Sequence, residues 1–172
     1  MPAFVPNTNA LSADLDSELV HDVVRELRDR AEIADALLRF GLGVDERDPD
    51  VFTSAFTPDA VFDFRPVAER LGLEIPVMDG FDAILAVHFN DGWNLDTTHS
   101  VTNVRIAVDG DEARLTAIVE AQHLPKHDHS RHLLLKNRYD VELVRTGSGW
   151  AMRHLLVKNV WFTGEPKVLA GE

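Results

Sequence analysis

The sequence predicts an α+β domain, and three observations carry the prediction. Apolar residues recur at three- and four-residue steps in the first half of the chain. Long runs of β-type residues separated by tight-turn dipeptides fill the second half. Helices come first and strands follow, rather than alternating as they would around a parallel sheet. A curved sheet folded over helices encloses a cone-shaped hollow, which is a natural ligand pocket.

Residues 1–16 hold two prolines and no apolar period, and are expected to form a flexible arm. Ser17 can cap a helix, with Glu18 in its first turn. From there Leu19, Val20, Val23, Val24, Leu27, Ala31, Ala34, Leu37, Leu38 and Leu42 form one apolar stripe, on a single long helix or on two meeting near Asp29. Gly41 and Gly43 loosen its end. Asp48-Pro49 opens a short helix from Asp50 to Phe56, ended by Thr57-Pro58-Asp59. Ala60 to Phe64 reads as a strand. Arg65 to Asp79, punctuated by Pro66, Gly72 and Pro76, reads as a loop with one helical turn, and Gly80 to Phe89 as another helix.

Four strands complete the chain. His99–Val108 turns at Asp109-Gly110-Asp111 into Ala113–His123, and His132–Arg145 turns at Thr146-Gly147-Ser148-Gly149 into Trp150–Phe162. The expected organisation is therefore a single domain over residues 17–162, with a loose tail over 163–172.

The chain has 17 Lys plus Arg against 29 Asp plus Glu, a net charge of −12, which opposes binding to nucleic acid or to anionic lipid. It contains no cysteine, which excludes disulfide and thiolate chemistry and suits a cytoplasmic protein. No apolar run approaches the ~20 residues that span a bilayer, and the polar start is no signal peptide.

Asp45, at the end of the long helix, and His99, at the start of a strand, can meet inside such a cone. A carboxylate there would fix the imidazole tautomer and make the ring a better base. The alternative is an Asp that caps the next segment and a His satisfied in the core. By alternation along its strand His123 shares an inner face with Leu115, Ala117, Val119 and Ala121, and Asn137 and Tyr139 share one with Leu135, Val141 and Leu143. Phe40, Phe62, Phe64, Phe89, Trp93, Leu135 and Trp161 supply an apolar, largely aromatic lining, or else plain core. His127-Asp128-His129 with His132 offers metal-ligand residues, but the spacing matches no closed tetrahedral set, so a solvated loop is the expectation and no metal site is assigned.

The order of these elements and several local motifs resemble the SnoaL-like branch of the NTF2-like superfamily. The matching segments are Asp29-Arg30-Ala31-Glu32-Ile33, Val44-Asp45-Glu46-Arg47-Asp48, Phe56-Thr57-Pro58-Asp59-Ala60-Val61-Phe62 and Thr98-His99-Ser100-Val101-Thr102-Asn103. Arg138 to Arg145 and Gly149 to His154 complete them, so the resemblance spans roughly residues 28–162. It implies a strongly curved antiparallel sheet around about three N-terminal helices, an internal pocket, and assembly as a dimer or trimer. The eliminating enzymes of that branch use a helix-end Asp and a strand-start His, positions that fall on Asp45 and His99. Phe40 stands where the dehydratases place a tyrosine and the dehydrochlorinase a lysine. The last-strand arginine aligns with Leu155, with Arg153 nearby.

The resulting expectation is an enzyme that needs no cofactor and abstracts a proton from a hydrophobic, ring-containing small molecule, by elimination or by isomerisation or cyclisation. Asp45 and His99 form the dyad. His123, Tyr139, Asn137 or Arg153 supplies the oxyanion or leaving-group donor. The rival expectation is a non-catalytic fold-mate that binds a small ligand, or resembles the β subunits of aromatic-ring dioxygenases.

Overall fold

The computed structural model describes residues 17–90 and 92–170, so the expected arm over residues 1–16 lies outside the described residues. One unbroken helix, α1 (Ser17–Asp45), opens the fold. Its stripe is buried only from Asp29 onward, through Ile33, Ala36, Leu37, Phe40 and Val44. Leu19, Val20, Val23, Val24 and Leu27 stay exposed, as does every residue of the first three turns, and Leu38 and Leu42 face outward. Asp29 is an anchor rather than a break. Its carboxylate accepts from both terminal nitrogens of Arg145 at 2.6 and 2.8 Å and from Trp150 Nε1 at 3.1 Å. The Arg145 hydrogen bonds outweigh the opposing effect of burial and hold its pKa down to about 2.

After α1 the chain turns through Arg47 into α2 (Pro49–Thr53), shorter than expected. Asp48 caps it by accepting from the backbone N–H of Asp50 and Val51, both at 3.0 Å, with proline in the first turn. Strand β1 (Phe56–Asp63) begins earlier than expected. Its pairing with the last strand is irregular between Phe56 and Val61, so Pro58 costs no ladder hydrogen bond there. The expected loop after it contains a full helix, α3 (Arg65–Leu71), closed by Gly72 at φ +71°. A two-residue strand, β2 (Met78–Asp79), and α4 (Phe81–His88) follow.

The long strands are β3 (Leu95–Asp109), β4 (Glu112–Pro125), β5 (Leu133–Thr146) and β6 (Gly149–Gly164). With β1 and β2 they form one unclosed six-stranded sheet in the order β2-β1-β6-β5-β4-β3. Every pairing is antiparallel except β1 with β6, which is parallel. The inner residues of β4 and β5 alternate as expected and pack on the buried stripe of α1. Of the expected loose tail, the described residues 163–170 are mostly in regular structure, and residues 171–172 lie outside the described residues. β6 runs to Gly164, and a 3-10 helix (Pro166–Ala170) buries Val168 against the core.

Strand β6 contains two bulges. Glu142 pairs with His154 but Leu143 with Met152, which leaves Arg153 unopposed. Lys136 pairs with Trp161 but Asn137 with Asn159, which leaves Val160 unopposed. Each extra residue exchanges the inner and outer faces of the strand beyond it.

Candidate active site

Two close approaches bring the end of α1 against its neighbours. A methyl group on Gly43 would lie 2.6 Å from the Phe52 backbone in α2, and one on Gly41 would lie 3.0 Å from Cβ of His99 in β3. The glycines therefore seat the helix end rather than loosen it. A carboxylate at a helix C-terminus is disfavoured by the helix dipole and needs donors from elsewhere. Strand β3 supplies three: Thr97 Oγ1 donates to Asp45 Oδ1 at 2.8 Å, the His99 backbone N–H to Oδ2 at 2.8 Å, and His99 Nδ1 to Oδ1 at 2.6 Å. Burial alone would raise the Asp45 pKa. The His99 hydrogen bond and charge, the Thr97 hydroxyl and the His99 backbone together bring it below the usual carboxylate value.

A carboxylate oxygen accepts, so His99 carries its proton on Nδ1. In the neutral ring Nε2 then holds the free lone pair, and no described residue engages that nitrogen. The ring is nearly buried and borders a cavity of about 110 Å³. For scale, an engineered cavity of about 150 Å³ holds benzene. Phe40, Phe62, Phe64, Trp93 and Leu135 line this space, together with Val44, Ile75, Met78 and Leu169.

Three of the four expected donors reach the same cavity. On the inner face of the sheet His123 pairs across strands with Thr97 and Leu133, and Asn137 with Val119 and Asn159. Tyr139 lies between Ala117 and Val157. His123 donates from Nδ1 to the Leu133 carbonyl at 3.3 Å, and burial, followed by the nearby charge of His99, lowers its pKa to about 4. Burial pushes the Tyr139 phenol up, and the charge of Asp45 adds to the shift.

Asn137 is the distinctive member. Asn159 donates its amide to the Trp161 carbonyl at 2.9 Å and the Lys136 carbonyl at 3.4 Å, which fixes the orientation of that amide. The same Nδ2 donates to Asn137 Oδ1 at 2.9 Å. Asn137 Nδ2 is left buried with no partner among the described residues.

Three expected site residues lie elsewhere. Arg153, the bulged residue, donates to Glu112 at 3.2 Å and lies near Glu142 at 3.9 Å, away from the cavity. Trp161 shares the outer face with its partner Lys136, beyond the second bulge, and is 43% exposed. Phe89 follows α4 and packs on Phe52, with ring centroids 5.1 Å apart, beneath the Arg47 guanidinium at 4.6 Å. In the polar β4–β5 connection His129 Nε2 pairs with Asp96 at 2.9 Å, and Asp128 accepts from Ser130. Among the described residues no group of three or more His, Asp or Glu side chains is arranged to hold a metal ion.

His88 is a polar cavity residue that the sequence did not single out. It reads as one more residue on the inner side of an apolar helix. It donates from Nδ1 to the Ile84 carbonyl at 2.8 Å and stacks on Phe62, with centroids 5.4 Å apart and planes 17° apart. Burial lowers its pKa to about 4. Trp93 lines the same cavity, and its Nε1 is buried without a partner among the described residues.

Comparisons with known proteins agree with this architecture. The model of the SnoaL-like domain matches residues 25–155. A Penicillium crustosum protein, terrestric acid biosynthesis cluster protein E, is 34% identical over 146 residues, 81% of this chain and 88% of its own. The solved structure of Kfla4162 from Kribbella flavida is similar at a TM-score of 0.74 and 22% identity, covering 84% of this chain and 99% of that one. Hexachlorocyclohexane dehydrochlorinase LinA-type3 from Novosphingobium barchaimii is similar at a TM-score of 0.68 and 23% identity, covering 82% and 92%. Among the described residues no helix is long and apolar enough to cross a membrane.

Proposed function

Because the chain belongs to the SnoaL-like domain family, we propose that it is an acid/base enzyme that eliminates water, or a comparable leaving group, from a small hydrophobic ring compound. The observation that carries this reading is the 2.6 Å hydrogen bond from His99 Nδ1 to Asp45 at the wall of an apolar cavity. His99 Nε2 takes a proton from carbon beside a ring carbonyl, and the Asp45 carboxylate stabilises the imidazolium that forms. Charge moves to the carbonyl oxygen, where the unpaired Asn137 Nδ2 supplies a hydrogen bond. The imidazolium then returns its proton to the departing hydroxyl as the carbonyl re-forms and the carbon–oxygen bond breaks. Water leaves and His99 is neutral again. The Penicillium relative, named for a biosynthetic cluster, supports a small organic substrate.

A ligand-binding protein without turnover is the second reading. It is favoured by Phe40, which lies 5.8 Å from the His99 ring and can protonate no leaving group. A panel of small cyclic ketones in deuterated buffer separates the two. Catalysed deuterium uptake beside the carbonyl, lost in His99→Gln, supports the enzyme. Uptake no faster than in buffer alone, with the ketones bound, supports the binding protein.

A further inference from the structure

We infer that His88 and Trp93 form a hydroxyl-binding subsite on the helix side of the cavity, so that the ligand is a small ring bearing a hydroxyl group there. The inference rests on the reading of this cavity as the substrate site. It adds a requirement that the dyad does not impose.

Each of the two side chains brings one unanswered polar atom. His88 donates from Nδ1 to the Ile84 carbonyl, which can only accept, so Nε2 is left with a lone pair and no partner among the described residues. Its burial, with a pKa near 4, keeps the ring neutral at pH 7, and Nε2 there can only accept. Trp93 Nε1 is buried, unpartnered among the described residues, and can only donate. The two rings border the same cavity with centroids 6.1 Å apart.

A ligand carbonyl would answer Trp93 and leave His88 unmatched, and an ammonium group would do the reverse. A hydroxyl both donates and accepts, so one oxygen serves both. The pair is held in place by Arg47, which donates to the His88 carbonyl. Its guanidinium lies 4.6 Å from the Phe89 ring and 5.6 Å from the Trp93 ring. On the sheet side Asn137 Nδ2 is a donor alone and suits a carbonyl. The complementary ligand is therefore a hydroxylated ring carbonyl compound.

The test compares two ring probes in the full chain, resorcinol and 1,3-dimethoxybenzene, titrated by NMR at neutral pH. Wild type is expected to prefer the diol. His88→Phe, which keeps the stack on Phe62, and Trp93→Phe are each expected to cut the preference by about 3- to 10-fold, the worth of one neutral hydrogen bond. Differences in probe size and hydrophobicity cancel in that ratio. An unchanged preference in both variants overturns the inference. Should either variant fail to fold, the wild-type nitrogen spectrum decides. The His88 Nε2 resonance is expected to move on adding resorcinol but not its dimethyl ether, and no movement overturns the inference. An intact preference in a protein that catalyses no exchange leaves the subsite standing and removes the catalytic reading.

Discussion

Gly41 lies so close beneath His99 that a β-carbon on it would stand 3.0 Å from the histidine Cβ. The contact places the end of α1 and the start of β3 at the distance at which Asp45 reaches the imidazole. Gly41→Ala is expected to change stability little, because the gain in helix propensity, about 1 kcal/mol, offsets the crowding. Turnover should fall about 10-fold or more, since the base is displaced. Gly43→Ala meets the Phe52 backbone at 2.6 Å instead and should lower stability by roughly 2 kcal/mol or more. Urea unfolding and rates measured side by side check both expectations.

Acid should weaken the fold over a defined window. His88 and His123 titrate near 6.5 when unfolded but near 4 when folded. Between those values the unfolded chain binds more protons, so their contribution is complete above pH 6.5 and is lost as pH falls toward 4. The lowered carboxyls of Asp45 and Asp29 act at lower pH, losing their contributions as pH falls through their own folded values. Urea midpoints measured from pH 7 to pH 4 should fall steadily, and His88→Phe together with His123→Phe should flatten the slope.

The outer face of β6 is expected to carry an assembly contact. Val160 and Trp161 are 45% and 43% exposed there, whereas Val157 is buried and Phe162 points inward opposite Leu135. We expect a second copy of the chain to cover this face, as a dimer or trimer, because monomers seldom leave such a patch bare. Light scattering at micromolar concentration should report the oligomer, and Trp161→Lys should shift it toward monomer. A wild-type protein that is only monomeric contradicts the expectation.

Alternation made much of this architecture legible in the sequence. The inner faces of β4 and β5, and with them His123, Asn137 and Tyr139, follow directly from a two-residue period. In β6 the period is broken: bulges at Arg153 and Val160 each reverse the faces, so that Leu155, Val157 and Asn159 turn inward while Arg153 and Trp161 lie outside. Local pattern does not announce a bulge, because it is fixed by pairing with a distant strand. The role of Asn137 was half legible. Its face was readable, but its unpaired nitrogen depends on Asn159, brought beside it by the bulge at Val160. His88 was hidden because an apolar helix face reads as core, and only the fold brings that face to Trp93 and the cavity.

If Asp45 makes His99 a base, Asp45→Asn should disable it. The amide keeps the shape but removes the charge, leaving His99 without a counter-ion and free to adopt the other tautomer. The measurement is the rate of deuterium uptake beside the carbonyl of whichever cyclic ketone the wild-type protein exchanges, with folding followed by circular dichroism. A folded variant whose rate falls by about 100-fold or more is expected. A folded variant that exchanges within a few-fold of wild type would contradict it.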